Sequence, residues 1–315
     1  VAINIPQIFN SLPDNEPRKI GAYISWVAIA STCVTSSMFL TALAPNLLAV
    51  DLIAKGTGHA ITWMEWAKIM LPLMIPLFIL TPWLTYVIYP PTQKKSPEAP
   101  AWAAEELKKL GSITFKEYLM AGLATVALVL WIFGKELGVD ATITAISIVS
   151  IMILSGIISW DDLLSDKAAF NVFIWFATLV ALADGLKKVG ILDFIGKNSQ
   201  AMLSDLSLTS LIIALILLFY VLHYFFASTT AHVTALVPLF MVIASTFIPA
   251  EQLLTFTILL AGSLGVMGII TPYGCGPSPI WYGAGYISQG KWWALGAIFG
   301  AIYLIPIIIG VFIFM

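Results

Sequence analysis

Apolar runs close to the length that crosses a hydrocarbon core dominate the chain. They fall at about 20–54, 66–89, 117–134, 140–159, 168–185, 207–247, 252–289 and 291–315. Charged or Pro-rich connections separate them. The clearest is PPTQKKSPEAPAWAAEELKKLGSITFKE, residues 90–117, a Pro-rich linker that leads into an amphipathic helix. SWDDLLSDKAAF and DGLKKVGILDFIGKNSQ are shorter breaks of the same kind.

Three runs cannot be plain helices. Residues 20–54 are interrupted by TSSMFLTALAPN, rich in hydroxyls and closed by Pro45-Asn46. Residues 207–247 exceed one crossing, and Ser228-Thr229-Thr230 sits at their middle, with His232 and Thr234 just beyond. Residues 252–289 contain GSLGVMGIITPYGCGPSPIWYGAG, whose Gly and Pro exclude a continuous helix. Unwound backbone at membrane depth survives only where protein buries it or where it lines a cavity. SSMFLTALAPNLLAVDLI and SLGVMGIITPYGCGPSPIWYG share a plan: small residues, apolar residues, a Pro-centred break and a resumed helix. Each precedes one more long apolar run. Corresponding broken helices in two halves point to a secondary transporter site.

Composition agrees. The 315 residues are 60% hydrophobic and 10% charged, against about 25% charged in soluble domains. With a mean hydropathy of +0.96, this is an all-α polytopic membrane protein. The net charge of −2 names no partner, and no basic face suggests nucleic acid. Cys33 and Cys275 lie in apolar or Gly-rich segments without metal-ligand spacing, so they are expected to pack as small hydrophobes. If 207–247 enters and leaves on one side, nine of the fifteen Lys and Arg share the side of Arg18-Lys19 and the 90–116 loop. That places this side in the cytoplasm. The stretch PIWYGAGYISQGKWW reads as an interfacial aromatic belt.

The apolar runs carry almost no formal charge, and the one arginine is Arg18. An anion would therefore be held by hydroxyls, free backbone N–H groups and helix N-termini. Ser228-Thr229-Thr230 reads as the cap of such a helix start. So do the helices expected to restart after Pro45-Asn46 and after Pro277-Ser278-Pro279. Ser and Thr also glue membrane helices together, but a polar tip beside two broken helices favours a ligand. His232 is expected to orient the tip, to add titratable positive character, or to make a structural hydrogen bond. A Ser228–His232 enzyme lacks an orienting acid and a G-x-S-x-G elbow. His223 and His232 lack an H-E-x-x-H pattern. No enzyme is expected. His59 is expected to be solvated, and Asp51 and Asp184 to be ordinary interfacial charges.

HYFFASTTAHVTALVP (223–238) and GIITPYGCGPSPIWYGAGYI (268–287), with the weaker SSMFLTALAPN (36–46), resemble the divalent anion:sodium symporter family. The nearest branch by resemblance is the bacterial citrate or dicarboxylate:succinate antiporters. The resemblance implies an inverted-repeat secondary transporter with a re-entrant helical hairpin and discontinuous helices. Residues 1–89 would close the first repeat, 90–116 form a cytoplasmic linker, and 117–315 form the second repeat. That second repeat would hold scaffold helices (117–206), hairpin (207–247), discontinuous helix (252–289) and last helix (291–315). The first hairpin would precede Val1 in a longer protein.

The implied substrate-binding residues are Ser228, Thr229, Thr230, Ala44, Pro45, Asn46, Gly276, Pro277 and Ser278, with Thr41 and His232 as auxiliaries. The implied activity is exchange of citrate, succinate, malate, tartrate or 2-oxoglutarate by an elevator-type movement of a homodimer. The expected location is the cell inner membrane rather than an organellar envelope. Thr229 and Ser278 stand where sodium-coupled members carry Asn, and Ala44 and Gly276 where a proline is expected. Exchange is therefore expected over the alternative, sodium-coupled dicarboxylate symport. Sodium, if bound, would fall to Ser228, Thr229 and Gly274, and no other metal or cofactor is expected.

Overall fold

The structure is a computed structural model that describes residues 5–95, 97, 99–167, 170, 185, 189 and 206–315. Asp184 and, apart from isolated positions, the run at 168–185 lie outside the described residues. Named regular structure among the described residues is helical. Six of these helices are long and apolar enough to cross a membrane.

The chain divides into two compact units. The smaller comprises Thr62–Met64 and Lys94–Ala177. Its helices are α5 (Ala99–Leu110), α6 (Phe115–Ile132), the single turn α7 (Gly134–Leu137), α8 (Ala141–Leu154) and α9 (Trp160–Ser165). Caps mark where the chain starts each apolar element. Thr114 and Glu117 form a capping box on α6, Asp140 accepts from Thr142 and Ile143 at α8, and Ser159 and Asp162 box α9. α6 and α8 pack together, with Trp131 Nε1 donating to Ala141 O at 3.2 Å. Their outer faces carry exposed Val126, Leu128, Ile143 and Ile146, as helices bathed in lipid should.

The larger unit comprises Val1–Ile61, Glu65–Gln93 and Thr178–Met315. After the turn α1 (Ile5–Ile8), its elements are α2 (Gly21–Met38), α3 (Ala44–Thr57) and α4 (Trp63–Ile88). They continue with α10 (Leu208–Leu222), α11 (Thr229–Phe247), α12 (Ala250–Met267), α13 (Ser278–Gly283) and α14 (Gln289–Phe314). α12 lies at the centre, and every residue from Phe256 to Met267 is buried. Glycines let its neighbours approach. A Cβ on Gly265 would fall 2.5 Å from Ser37 N and Ser37 Oγ. A Cβ on Gly296 of α14 would fall 2.8 Å from Ile270 O. Helix therefore packs on bare backbone, and the carbonyls exposed where α12 unwinds lie in a groove of α14.

The three interrupted runs are broken as the Gly, Pro and hydroxyl patterns require, with two shifts of boundary. The first break is a 3₁₀ turn at Leu40–Ala42 between extended Phe39 and Leu43, and α3 begins at Ala44, before Pro45-Asn46 rather than after them. Proline fits a first turn, because its missing N–H has no intrahelical partner there. For the same reason α13 begins at Ser278 and takes Pro279 into its first turn. Residues 268–277 between α12 and α13 are turns and bends. In the stretch read as an aromatic belt, Trp281, Tyr282 and Trp293 are half-buried, whereas two rings are enclosed by the protein. Trp292 is fully buried with its ring 5.2 Å from Trp26, and Tyr286 is buried with its hydroxyl donating to Ser11 O.

Candidate functional site

Run 207–247 doubles back. The Phe219 and His232 rings are 4.4 Å apart, centroid to centroid, whereas a straight helix would separate these positions by about 20 Å. Phe219 also meets Phe240 at 5.2 Å. The reversal occupies a 3₁₀ turn at His223–Phe225 and extended Phe226. Ser228 is extended too, with φ −156° and ψ 145°. Its Oγ accepts Ala231 N at 3.1 Å as the N-cap of α11. Thr229 and Thr230 therefore lie in the first turn of α11, not in the loop. Ser228 is exposed, Thr230 half-buried and Thr229 buried.

The reversal is fastened to the unwound segment through one carbonyl. Gly274 O accepts from Thr229 Oγ1 at 3.1 Å and from His223 Nε2 at 2.8 Å. A carbonyl can only accept, so His223 carries its proton on Nε2. A Cβ on Gly274 would lie 2.9 Å from Gly268 O and 3.1 Å from His223 Nε2. No larger residue fits this junction without displacing backbone. Tyr273 Oη donates to Tyr224 O at 3.3 Å, a second tie across the same junction. Ser278 Oγ is turned inward, donating to Gly268 O at 3.3 Å and lying 3.0 Å from Cys275 Sγ. Gly276 is exposed with open space beyond it, and Pro277 is half-buried.

The first break is tied by Asn46. Its Nδ2 donates to Ser36 O at 2.8 Å and Phe39 O at 3.3 Å, satisfying carbonyls left free where α2 stops. Its Oδ1 is buried without a partner. Pro45 is buried, Ala44 exposed and Thr41 half-buried. α3 has no side-chain cap.

α3 and α11 pack along each other. Gly56 lies against Met241, each twelve positions past the start of its helix at Ala44 or Thr229. Asn46 is tied to Ser36, whose neighbour Ser37 accepts Val266 N, and Thr229 is tied to Gly274, so both helix starts lie by the end of α12 and, with Gly56 on Met241, the pair runs parallel. Neither first turn contains an acidic residue. Two positive helix ends, the free amides of Ala44, Thr229 and Thr230, and the Ser228 and Thr230 hydroxyls thus share one locality. Such a locality attracts an anion.

The hydroxyls and both breaks lie where the sequence pattern puts them, but of the three roles open to His232 the structural hydrogen bond is not made. His232 is fully buried, and both ring nitrogens lack hydrogen-bond partners. It packs edge-on against Phe219, His223 and Phe226. A structural bond of that kind is made instead by His223, which directly follows α10. Of the remaining expectations, Cys33 and Cys275 are buried and free, and His59 is exposed, with Nε2 3.4 Å from the Glu65 carboxylate. Asp51 pairs with Lys55 at 3.4 Å. Among the described residues no group of three or more His, Cys, Asp or Glu could hold a metal.

These features define a multi-pass membrane protein with a helical hairpin docked on a broken helix. The chain matches the sodium:sulfate symporter transmembrane region over residues 1–314 and belongs to that family. It is 46% identical over 307 residues to the L-tartrate/succinate antiporter of Escherichia coli K12. It is 45% identical over the same length to the protein of that name from Shigella flexneri. Both alignments cover 97% of this chain and 63% of the relative, so the chain spans under two thirds of their length.

Proposed function

We propose that the protein acts in the bacterial inner membrane as an antiporter, not an enzyme. In this reading it exchanges small dicarboxylates such as tartrate and succinate. The observation that carries the proposal is the parallel pairing of α3 and α11, which aligns two helix starts with no acid in either first turn. Ser228 and Thr230 would hold one carboxylate of the substrate, with the free amides of Ala44, Thr229 and Thr230. Thr230 Oγ1 makes no hydrogen bond among the described residues and is free to donate. Ala44, Pro45 and Asn46 would shape one wall, and Gly276 and Pro277 the exposed edge of another. Ser278 would act by holding the break together. The hairpin would be re-entrant, with its tip in the membrane, and the two broken helices would belong to inverted repeats. An elevator-type shift within a homodimer would give alternating access.

Sodium coupling is the runner-up, and the family's description favours it. Against it stands Gly274 O, a candidate sodium ligand that already accepts two donors. One assay separates the readings. Full-length protein in liposomes loaded with succinate should take up labelled L-tartrate faster than in empty liposomes, with or without a sodium gradient. Uptake that needs the gradient and ignores internal succinate rejects antiport. Thr230→Val should weaken substrate about ten- to hundredfold, the worth of a hydrogen bond to a charged group. An unchanged KM would remove Thr230 from the site.

A further inference from the structure

Away from that site, α2 begins at Gly21, α4 finishes at Ile88 and α14 begins at Gln289 around the buried ring of Tyr89. The Arg18 guanidinium carbon lies 4.1 Å from the ring centroid and Lys291 Nζ 5.1 Å from it. Arg18 is held in place. Its Nη2 donates to Pro90 O at 2.7 Å, and its carbonyl accepts Thr92 N at 3.0 Å. Lys19 is neutralised by Glu16 at 3.6 Å. No carboxylate among the described residues pairs with Arg18 or Lys291, and both side chains are exposed.

Lys291 is also poorly placed for its own helix. It stands in the first turn of α14, where the helix dipole disfavours a cation, and that turn holds no acid. The arrangement sets two like charges within about 9 Å of each other on one ring. An oxyanion bound by both would relieve both penalties. Basic pockets between span ends are where anionic headgroups bind.

We propose that Arg18, Lys291 and the Tyr89 ring form a phosphate-ester site at the membrane surface, where an anionic phospholipid headgroup bridges α2, α4 and α14. The same chemistry would accept free phosphate, so the test separates the two. Thermal unfolding of the full-length protein in neutral detergent is followed with added short-chain phosphatidylglycerol, phosphatidylcholine or sodium phosphate. Phosphatidylglycerol should raise Tm where phosphatidylcholine does not. The concentration giving half of the rise should increase about tenfold in Lys291→Gln and return in Lys291→Arg. Lys291 is the position to vary because it makes no hydrogen bond within the described protein, whereas Arg18 also secures Pro90 O. A Lys291-dependent rise with sodium phosphate at matching concentrations would support the site with free phosphate as its occupant. Equal effects of the two lipids with phosphate inert, or an undiminished effect in Lys291→Gln, would overturn it.

Discussion

Thr229→Val and His223→Leu, made singly and together, test how the hairpin is locked to the unwound segment. Gly274 O is buried and accepts two donors, Thr229 Oγ1 at 3.1 Å and His223 Nε2 at 2.8 Å. Valine keeps the shape of threonine and deletes one donor. The carbonyl retains His223, so the cost is one net hydrogen bond, about 0.5–1.5 kcal/mol. Leucine at 223 removes the shorter bond and the imidazole's packing against His232, with centroids 5.0 Å apart. Thr229 still serves the carbonyl in that variant, and about 1–3 kcal/mol should be lost. The double variant leaves a buried acceptor with no donor, a desolvation penalty of about 1–3 kcal/mol that neither single variant incurs. Its destabilisation should therefore exceed the sum of the single effects by about 1 kcal/mol or more. Reversible surfactant-induced unfolding of the four full-length proteins measures this coupling. Additivity within about 0.5 kcal/mol would show that the two donors do not share one acceptor and that the hairpin is not locked to the unwound segment in this way.

Gly265→Ala should destabilise by about 1–3 kcal/mol, the cost of overpacking. Its Cβ would strike the Ser36-Ser37 backbone, which cannot swing aside as a side chain can. An unchanged Tm would show that α2 and α12 are not in contact there. The cap of α9 should respond to acid. The Ser159 N–H and hydroxyl, each 2.8 Å from Asp162 Oδ2, hold that carboxyl below its usual range. A lowered carboxylate stabilises at neutral pH, and its contribution is lost as pH falls from the ordinary value of 3.8 through the lower folded one. Hydrogen-exchange protection across Trp160–Ser165 should drop over that window. In Asp162→Asn it should be low already at pH 7 and insensitive to acid, and wild-type protection in that variant would refute the account.

Much of the larger unit was readable along the chain because its rules are local. Hydrocarbon thickness sets the length of each apolar run, and lipid offers no partner to an unpaired amide, so runs of about 20 residues must be helical. Where Gly and Pro crowd together, at 268–279, or hydroxyls collect before a proline, at 35–46, the helix must stop. Cap chemistry then points to Ser228. Other facts were settled by contacts between segments far apart in the chain. His223 rather than His232 ties the hairpin, because Gly274 O arrives from 51 residues away. Trp292 looks interfacial in its own neighbourhood and is buried because Trp26 and Tyr282 cover it. The alignment of the α3 and α11 starts depends on the face that Gly56 offers to Met241. Hydropathy and turn chemistry act within a few residues, so they place elements and breaks. Which backbone carbonyl meets which donor is a property of packed surfaces, and it exists only once the chain has folded.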